Sequence, residues 1–294
     1  MSTLIPLGGS ADSEGWTPEA RRACAFDRFN DKGGLLAKRG RVLFHTDFES
    51  GELEGWRQHF NSFEPRPPNG LTSYPVRNGE YAMMIGTGDT PYDASNRSSG
   101  SGSYKNLSLY DAQGVVSFSG HTTVRSGIGR LPQQKRSPGR AWRHWQFMMD
   151  IQRWGNTSRS FPQVSLIEPA GSDIPQWYIR GTNGLIVVPD SAGAYSGENE
   201  NKYNWDYWRL SWDLDANGGL GGYLEMQINN RVFDLRNLGA GSAVEPPQQG
   251  APVDSFAGGL NCGLGIARST KWPDYYPATL FADDLVCTVG DTKA

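Results

Sequence analysis

Seven polar side chains fall on alternate positions of three short runs: His144, Gln146 and Asp150, then Gln163, then Gln176, Tyr178 and Arg180. In extended chain, a spacing of two puts each set on one side of its strand. Glutamine and arginine offer donors and acceptors in fixed geometry, and a tyrosine offers an apolar ring beside a hydroxyl. Such a floor suits a ligand rich in hydroxyls, as a sugar is. An ordinary solvated sheet face has the same composition, so the pattern defines candidates. A second chemistry is open to this set taken together with His121. His121, His144 or Tyr178 would accept the proton at C5 of a uronate. Gln146 or Arg180 would then neutralise the carboxylate and lower the cost of the enolate-like intermediate.

Two further groups of residues carry charge in a suggestive pattern. From Arg125 to Arg143 the chain holds Arg130, Lys135, Arg136 and Arg140 with no acid among them. At the rim of a groove this run would recruit a uronate, sulfate or phosphate polymer. Its Gly and Pro content describes a solvated loop equally well. Asp47, Asp283 and Asp284 would meet if the first and last strands pair, and hard oxygen ligands there would suit a structural Ca2+. Surface carboxylates without metal are the competing reading. Trp154, Tyr195, Tyr203, Trp205, Trp272, Tyr275 and Tyr276 fall in loop-like stretches, as a contact surface or as lids over the sandwich edges.

The elements that must position these residues are strands. Val42, Phe44, Thr46 and Phe48 alternate with Leu43, His45 and Asp47. Trp145, Phe147, Met149 and Ile151 do the same against Gln146, Met148, Asp150 and Gln152, as do Trp208, Leu210, Trp212 and Leu214 against Arg209, Ser211 and Asp213. Further strands are expected over 81–85, 115–119, 164–167, 176–180, 185–188, 223–228, 232–235, 262–267 and 280–289. Asn229-Asn230 between two such runs is a two-residue hairpin signal. The polar stretches 86–106 and 189–204 read as long surface loops. About a dozen strands, each with one apolar and one mixed face, require a two-sheet sandwich.

Residues 1–40 differ. Thr17-Pro18-Glu19 opens a short helix that runs to about Phe29 and stops at Asn30-Asp31-Lys32-Gly33-Gly34. This arm is too small to fold alone, so it is expected to dock on the main domain or on a protein partner.

Bulk properties narrow the classes. A net charge of -3 over 294 residues gives no reason to expect nucleic acid. No run is long and apolar enough for membrane insertion. The 37 Gly and 18 Pro fit many short strands joined by turns. Three cysteines, Cys24, Cys262 and Cys287, make neither a disulfide framework nor a zinc site. Cys262 and Cys287 fall in two late strands that could lie near each other, as buried free thiols. Met1 to Ser10 carries no secretory signal. An extracellular or virion location would therefore be reached by another route, and a cytoplasmic one stays open.

Phe44-His45-Thr46-Asp47-Phe48-Glu49-Ser50-Gly51 followed by Trp56 resembles the first strand of concanavalin A-like lectin/glucanase domains. Leu280-Phe281-Ala282-Asp283-Asp284-Leu285-Val286 resembles their last strand. Tyr207 to Asp213 with Tyr223 to Asn229 is similar to their convex-sheet meander, and Gly263 to Arg268 to a late strand of the polysaccharide-lyase branch. The likeness covers about 41–290. It implies an all-β, two-sheet antiparallel jelly-roll sandwich over 41–294 after an arm over 1–40, and a carbohydrate ligand. It does not carry over a mechanism. The Glu-x-Asp-x-x-Glu strand of retaining glucanases is missing, and His144-Trp145-Gln146 and Tyr178-x-Arg180 depart from the alginate-lyase pattern. The expectation is a carbohydrate-binding protein displayed on a larger assembly such as a phage particle, with the homo-oligomeric state open. The alternatives are a lyase or hydrolase of an acidic polysaccharide using His144, Gln146, Tyr178 and Arg180, or a purely structural decoration protein. Ligand contacts are expected from His121, Arg125, His144, Gln146, Asp150, Gln163, Gln176, Tyr178 and Arg180.

Overall fold

The computed structural model describes residues 41–59, 70–86, 100–107, 113–126, 142–152, 159–169, 172, 174–194, 204–219, 221–236, 238, 248–249, 259–267 and 278–291. The arm over 1–40 with its helix, the run 127–141 and the His144 side chain lie outside this description.

The strands are β1 (Arg41–Thr46), β2 (Trp56–His59), β3 (Gly70–Thr72), β4 (Ala82–Gly86), β5 (Gly100–Asn106), β6 (Val115–Ser126), β7 (Trp142–Gln152), β8 (Arg159–Ser160) and β9 (Gln163–Glu168). They continue as β10 (Gln176–Gly181), β11 (Gly184–Val187), β12 (Asp206–Asp213), β13 (Gly222–Ile228), β14 (Arg231–Asp234), β15 (Gln248–Gln249), β16 (Gly259–Ala267) and β17 (Ala278–Asp291). Among the described residues they form an eight-stranded sheet in the order β14-β13-β12-β6-β17-β4-β3, with β1 beside β17. A nine-stranded sheet runs β11-β10-β9-β7-β16-β5-β2, with β8 and β15 at the side of β7. Every pairing is antiparallel. This is the two-sheet jelly-roll sandwich the alternation predicts.

The core forms where the apolar sets of both sheets meet. Trp145, Phe147, Met149 and Ile151 of β7 face Trp208, Leu210 and Trp212 of β12, all of them buried. Phe147 stacks on Trp208 with ring centroids 4.4 Å apart, and Phe118 meets the same indole edge-on at 4.8 Å. Trp145 packs edge-on against Trp177 at 5.2 Å. Offset and edge-to-face contacts of this kind stabilise an aromatic pair by about 0.5–1.5 kcal/mol beyond area burial. The fixed inward set forces the other set outward on each sheet, and a slip of one residue would exchange them.

Three local readings change. Gly100–Asn106 lies inside a stretch that reads as loop, yet it is β5, paired along its length with β16. Small Gly and Ser side chains give no periodic signal, although Ser101 and Ser103 are buried in this strand. β6 runs on to Ser126, which places Arg125 in a strand rather than a loop. Trp56–His59 also forms a strand, at the end of the nine-stranded sheet. The expected hairpin is present: Asn229, with φ of 52°, turns β13 into β14, and Ile228 pairs with Arg231. Among the described residues no helix is long and apolar enough to cross a membrane.

Candidate functional site

Outward residues of the nine-stranded sheet line up across its strands. Tyr178 of β10 lies opposite Ser165 of β9, Ser165 opposite Gln146 of β7, Gln146 opposite Gly265 of β16, and Gly265 opposite Gly102 of β5. One step along, Gln163 faces Met148, Met148 faces Gly263, Gly263 faces Tyr104, and Tyr104 faces Arg57 of β2. With strands about 4.8 Å apart, a row from β10 to β5 crosses about 19 Å of sheet.

Gln163 ties the rows together. Its Nε2 donates to Gln146 Oε1 at 2.7 Å and to Ser165 Oγ at 2.9 Å, and its Oε1 accepts from Arg180 Nη1 at 3.4 Å. The backbone beneath is held from the opposite sheet. Tyr223 of β13 crosses the sandwich, accepts the Gln163 N–H at 2.8 Å, and donates to the Arg180 carbonyl at 2.9 Å. Burial pushes the Tyr223 phenol well up, so it stays neutral and keeps its proton to donate. A third row holds Asp150 opposite Asn261 and Asn261 opposite Asn106, with Asn106 Nδ2 donating to Asn261 Oδ1 at 2.6 Å.

Exposure sorts these residues into floor and contact layer. Gln163, Ser165, Asp150 and Asn261 are buried, whereas Gln146, Gln176 and Tyr178 are half-buried and Arg180 is exposed. The surface a ligand would meet is thus Arg180, Tyr178, Gln146 and Gln176, resting on a braced amide layer. Ser165, Tyr104 and Asn261 belong to these rows without having been singled out from the sequence. Ser165 is visible there as the residue two after Gln163. The glycines on both sides of Asn261 hide its strand face, and Tyr104 sits in the stretch that reads as loop.

His121 and Arg125 stand elsewhere. Both lie on β6 in the eight-stranded sheet, so neither shares a face with Gln146 or Arg180. His121 is therefore not placed to accept a proton from a substrate held by Arg180. His121 instead faces the junction of β1 and β17. There β17 bulges between Asp283 and Val286, and Asp284 takes φ of 51°.

The same junction gathers two of the three predicted calcium ligands around a different job. Asp283 is fully buried; its Oδ2 accepts the Arg77 and Asn78 N–H groups at 3.2 and 3.4 Å, and its Oδ1 accepts the Asp284 N–H at 2.8 Å. Burial, with the neighbouring Asp284 second, raises the Asp283 carboxyl to about 8. Asp284 pairs with the Arg77 guanidinium and lies 3.8 Å from His121 Nδ1. Asp47 accepts the Glu49 N–H at 3.2 Å. Asp283 and Asp284 hold the loop that carries Arg77 and Asn78, the Arg77 guanidinium resting on Asp284 alone, while Asp47 closes its own turn. Among the described residues no three His, Cys, Asp or Glu side chains are grouped to hold a metal.

No protein-family model matches the chain, and no curated protein matches it. Solved structures do. A cellulose-induced protein, Cip1, is 13% identical, with 85% of this chain and 98% of that one covered at a TM-score of 0.41. The potassium-bound carbohydrate recognition domain of Emp46p is 12% identical, with 85% and 97% covered at 0.40. A Bacillus licheniformis β-glucanase is 10% identical, with 85% and 99% covered at 0.38. The jelly-roll assignment itself rests on the strand order and register given above.

Proposed function

We propose that the outer face of the nine-stranded sheet binds carbohydrate. The observation that carries this reading is the braced amide layer: Gln163 bonded to Gln146, Ser165 and Arg180, with Tyr178 on the neighbouring strand. Side chains already held by one another lose little freedom when a ligand arrives, which removes part of the cost of association. Arg180 and the amides supply donors and acceptors for hydroxyls, and the Tyr178 ring supplies an apolar face for a sugar ring. The test is an array of neutral and uronate-containing glycans probed with the wild type and with Gln163→Ala. Binding of at least one glycan class by the wild type, weakened about tenfold or more in the variant, supports the reading. A folded wild type that binds nothing on the panel removes it.

β-Elimination of a uronate polymer is a second reading, favoured by Tyr178 and Arg180 standing two residues apart on one strand face. It predicts an unsaturated product, followed by its ultraviolet absorbance, and loss of that product in Tyr178→Phe. Docking of residues 1–40 on a protein partner, in a virion or another extracellular assembly, extends the proposal, supported by the sequence of the arm alone. Deleting the arm is expected to abolish incorporation while leaving the melting midpoint of the sandwich unchanged.

A further inference from the structure

Cys262 and Cys287 occupy matching places in the two sheets. Cys262 lies on β16, inside the nine-stranded sheet, opposite Met149 on one side and Lys105 on the other. Cys287 lies on β17, inside the eight-stranded sheet, opposite Phe44 and Phe118. Both side chains point into the core, both are fully buried, and both are free thiols. β16 and β17 pack on each other across the sandwich, and the Cys287 thiol is close enough to Cys262 to raise it further, after burial as the larger cause. The inward neighbours along the two strands are Leu260, Leu264, Leu285 and Val289; Lys105, the polar residue opposite Cys262, donates its ammonium to the Glu54 carbonyl. Two sulfurs meeting between interior strands of opposing sheets are placed as the ends of an inter-sheet staple.

We propose that Cys262 and Cys287 form a disulfide joining the two sheets when the chain folds in the presence of a low-molecular-weight disulfide such as oxidised glutathione. One cysteine thiolate attacks the small disulfide, forming a mixed disulfide and releasing one small thiolate, which takes up a proton. The second cysteine thiolate then attacks the protein sulfur of that mixed disulfide, forming the Cys262–Cys287 bond and releasing the second small thiol. Two protein thiols are oxidised and one small disulfide is reduced to two thiols. The exchange belongs to folding rather than to the finished sandwich, because burial raises the Cys262 thiol and closes off access to reagent. The core already accommodates the pair as two buried free thiols, so the fold does not depend on the bond. The bridge would act by restricting the unfolded chain.

The experiment refolds the full chain from denaturant in a glutathione redox buffer, and separately in excess reductant. Remaining thiols are alkylated under denaturing conditions and the peptides mapped by mass. The expected result is a linked Cys262–Cys287 peptide, loss of two of the three alkylatable thiols, and a melting midpoint above that of the reduced protein. Reductant added during unfolding abolishes the upward shift, and Cys262→Ala never shows it. Folded protein with all three cysteines alkylated, or with Cys24 in the bond instead, overturns the proposal. The wild-type mapping decides the matter even where the variant folds poorly.

Discussion

Gln163 is only 3% exposed, yet its side chain meets one residue from each of β7 and β10 and a second from its own strand. Replacing it with Ala leaves Gln146 and Arg180 without their shared partner, so ligand affinity should fall more than a surface contact alone would cost. Tyr223 supports it from below. Tyr223→Phe strips one hydroxyl but leaves the Gln163 N–H and the Arg180 carbonyl buried without that partner. The expected loss is about 1–3 kcal/mol in denaturant unfolding. Neither role was legible in the sequence, where Tyr223 reads as one more inward strand residue; a bond across the sandwich has no local signature. His121 gives a pH signature. Burial first, then the Arg77 charge, lowers it from 6.5 to about 4. The unfolded chain takes the proton before the folded one, so this contribution is full above pH 6.5 and is lost as pH falls towards 4. The Asp283 carboxyl, raised from 3.8 to about 8, works in the other sense: its contribution is present at low pH and lost as pH rises towards 8. Melting midpoints for wild type and His121→Asn from pH 4 to 8 separate the two. The variant should lose less stability than wild type between pH 6.5 and 4, and the two should run parallel above pH 7.

At the scale of strands, two glycines carry opposite consequences. A Cβ at Gly265 would stand 3.3 Å from Gln146 Nε2 and 3.4 Å from its Cγ. Gly265→Ala should push Gln146 off its bond to Gln163 and weaken ligand binding several-fold, with little change in melting midpoint. A Cβ at Gly120, on the inward side of β6, would collide with Leu285 and crowd Trp208. Gly120→Ala should cost about 1–3 kcal/mol of stability, because the packed core has no room to give. Strong alternation made β7, β12 and the β13–β14 hairpin readable before any coordinates. β5 was not, since Gly-Ser-Gly-Ser carries no apolar period and its place is set by pairing with β16. The loop holding Arg77 and Asn78 was hidden for a related reason: its anchors, Asp283 and Asp284, lie more than two hundred residues along the chain.

Across the whole molecule, the fold was legible because two sheets with apolar inner faces leave few other arrangements. The grouping of the candidate residues was legible in part. Gln146, Asp150, Gln163, Gln176, Tyr178 and Arg180 do share one outer face, as period two requires. His121 and Arg125 do not, because sequence alternation says which side of a strand a residue takes but not which sheet the strand joins. The sandwich therefore offers a matched comparison between its two outer faces. Gln146 and Gln227 are both half-buried glutamines, one on β7 and one on β13 of the other sheet. Calorimetric titration of the best array glycan against Gln146→Ala and Gln227→Ala measures which face grips the ligand. Affinity at least tenfold weaker in Gln146→Ala, with Gln227→Ala matching wild type, is the predicted result. An unchanged Gln146→Ala beside a weakened Gln227→Ala would contradict it.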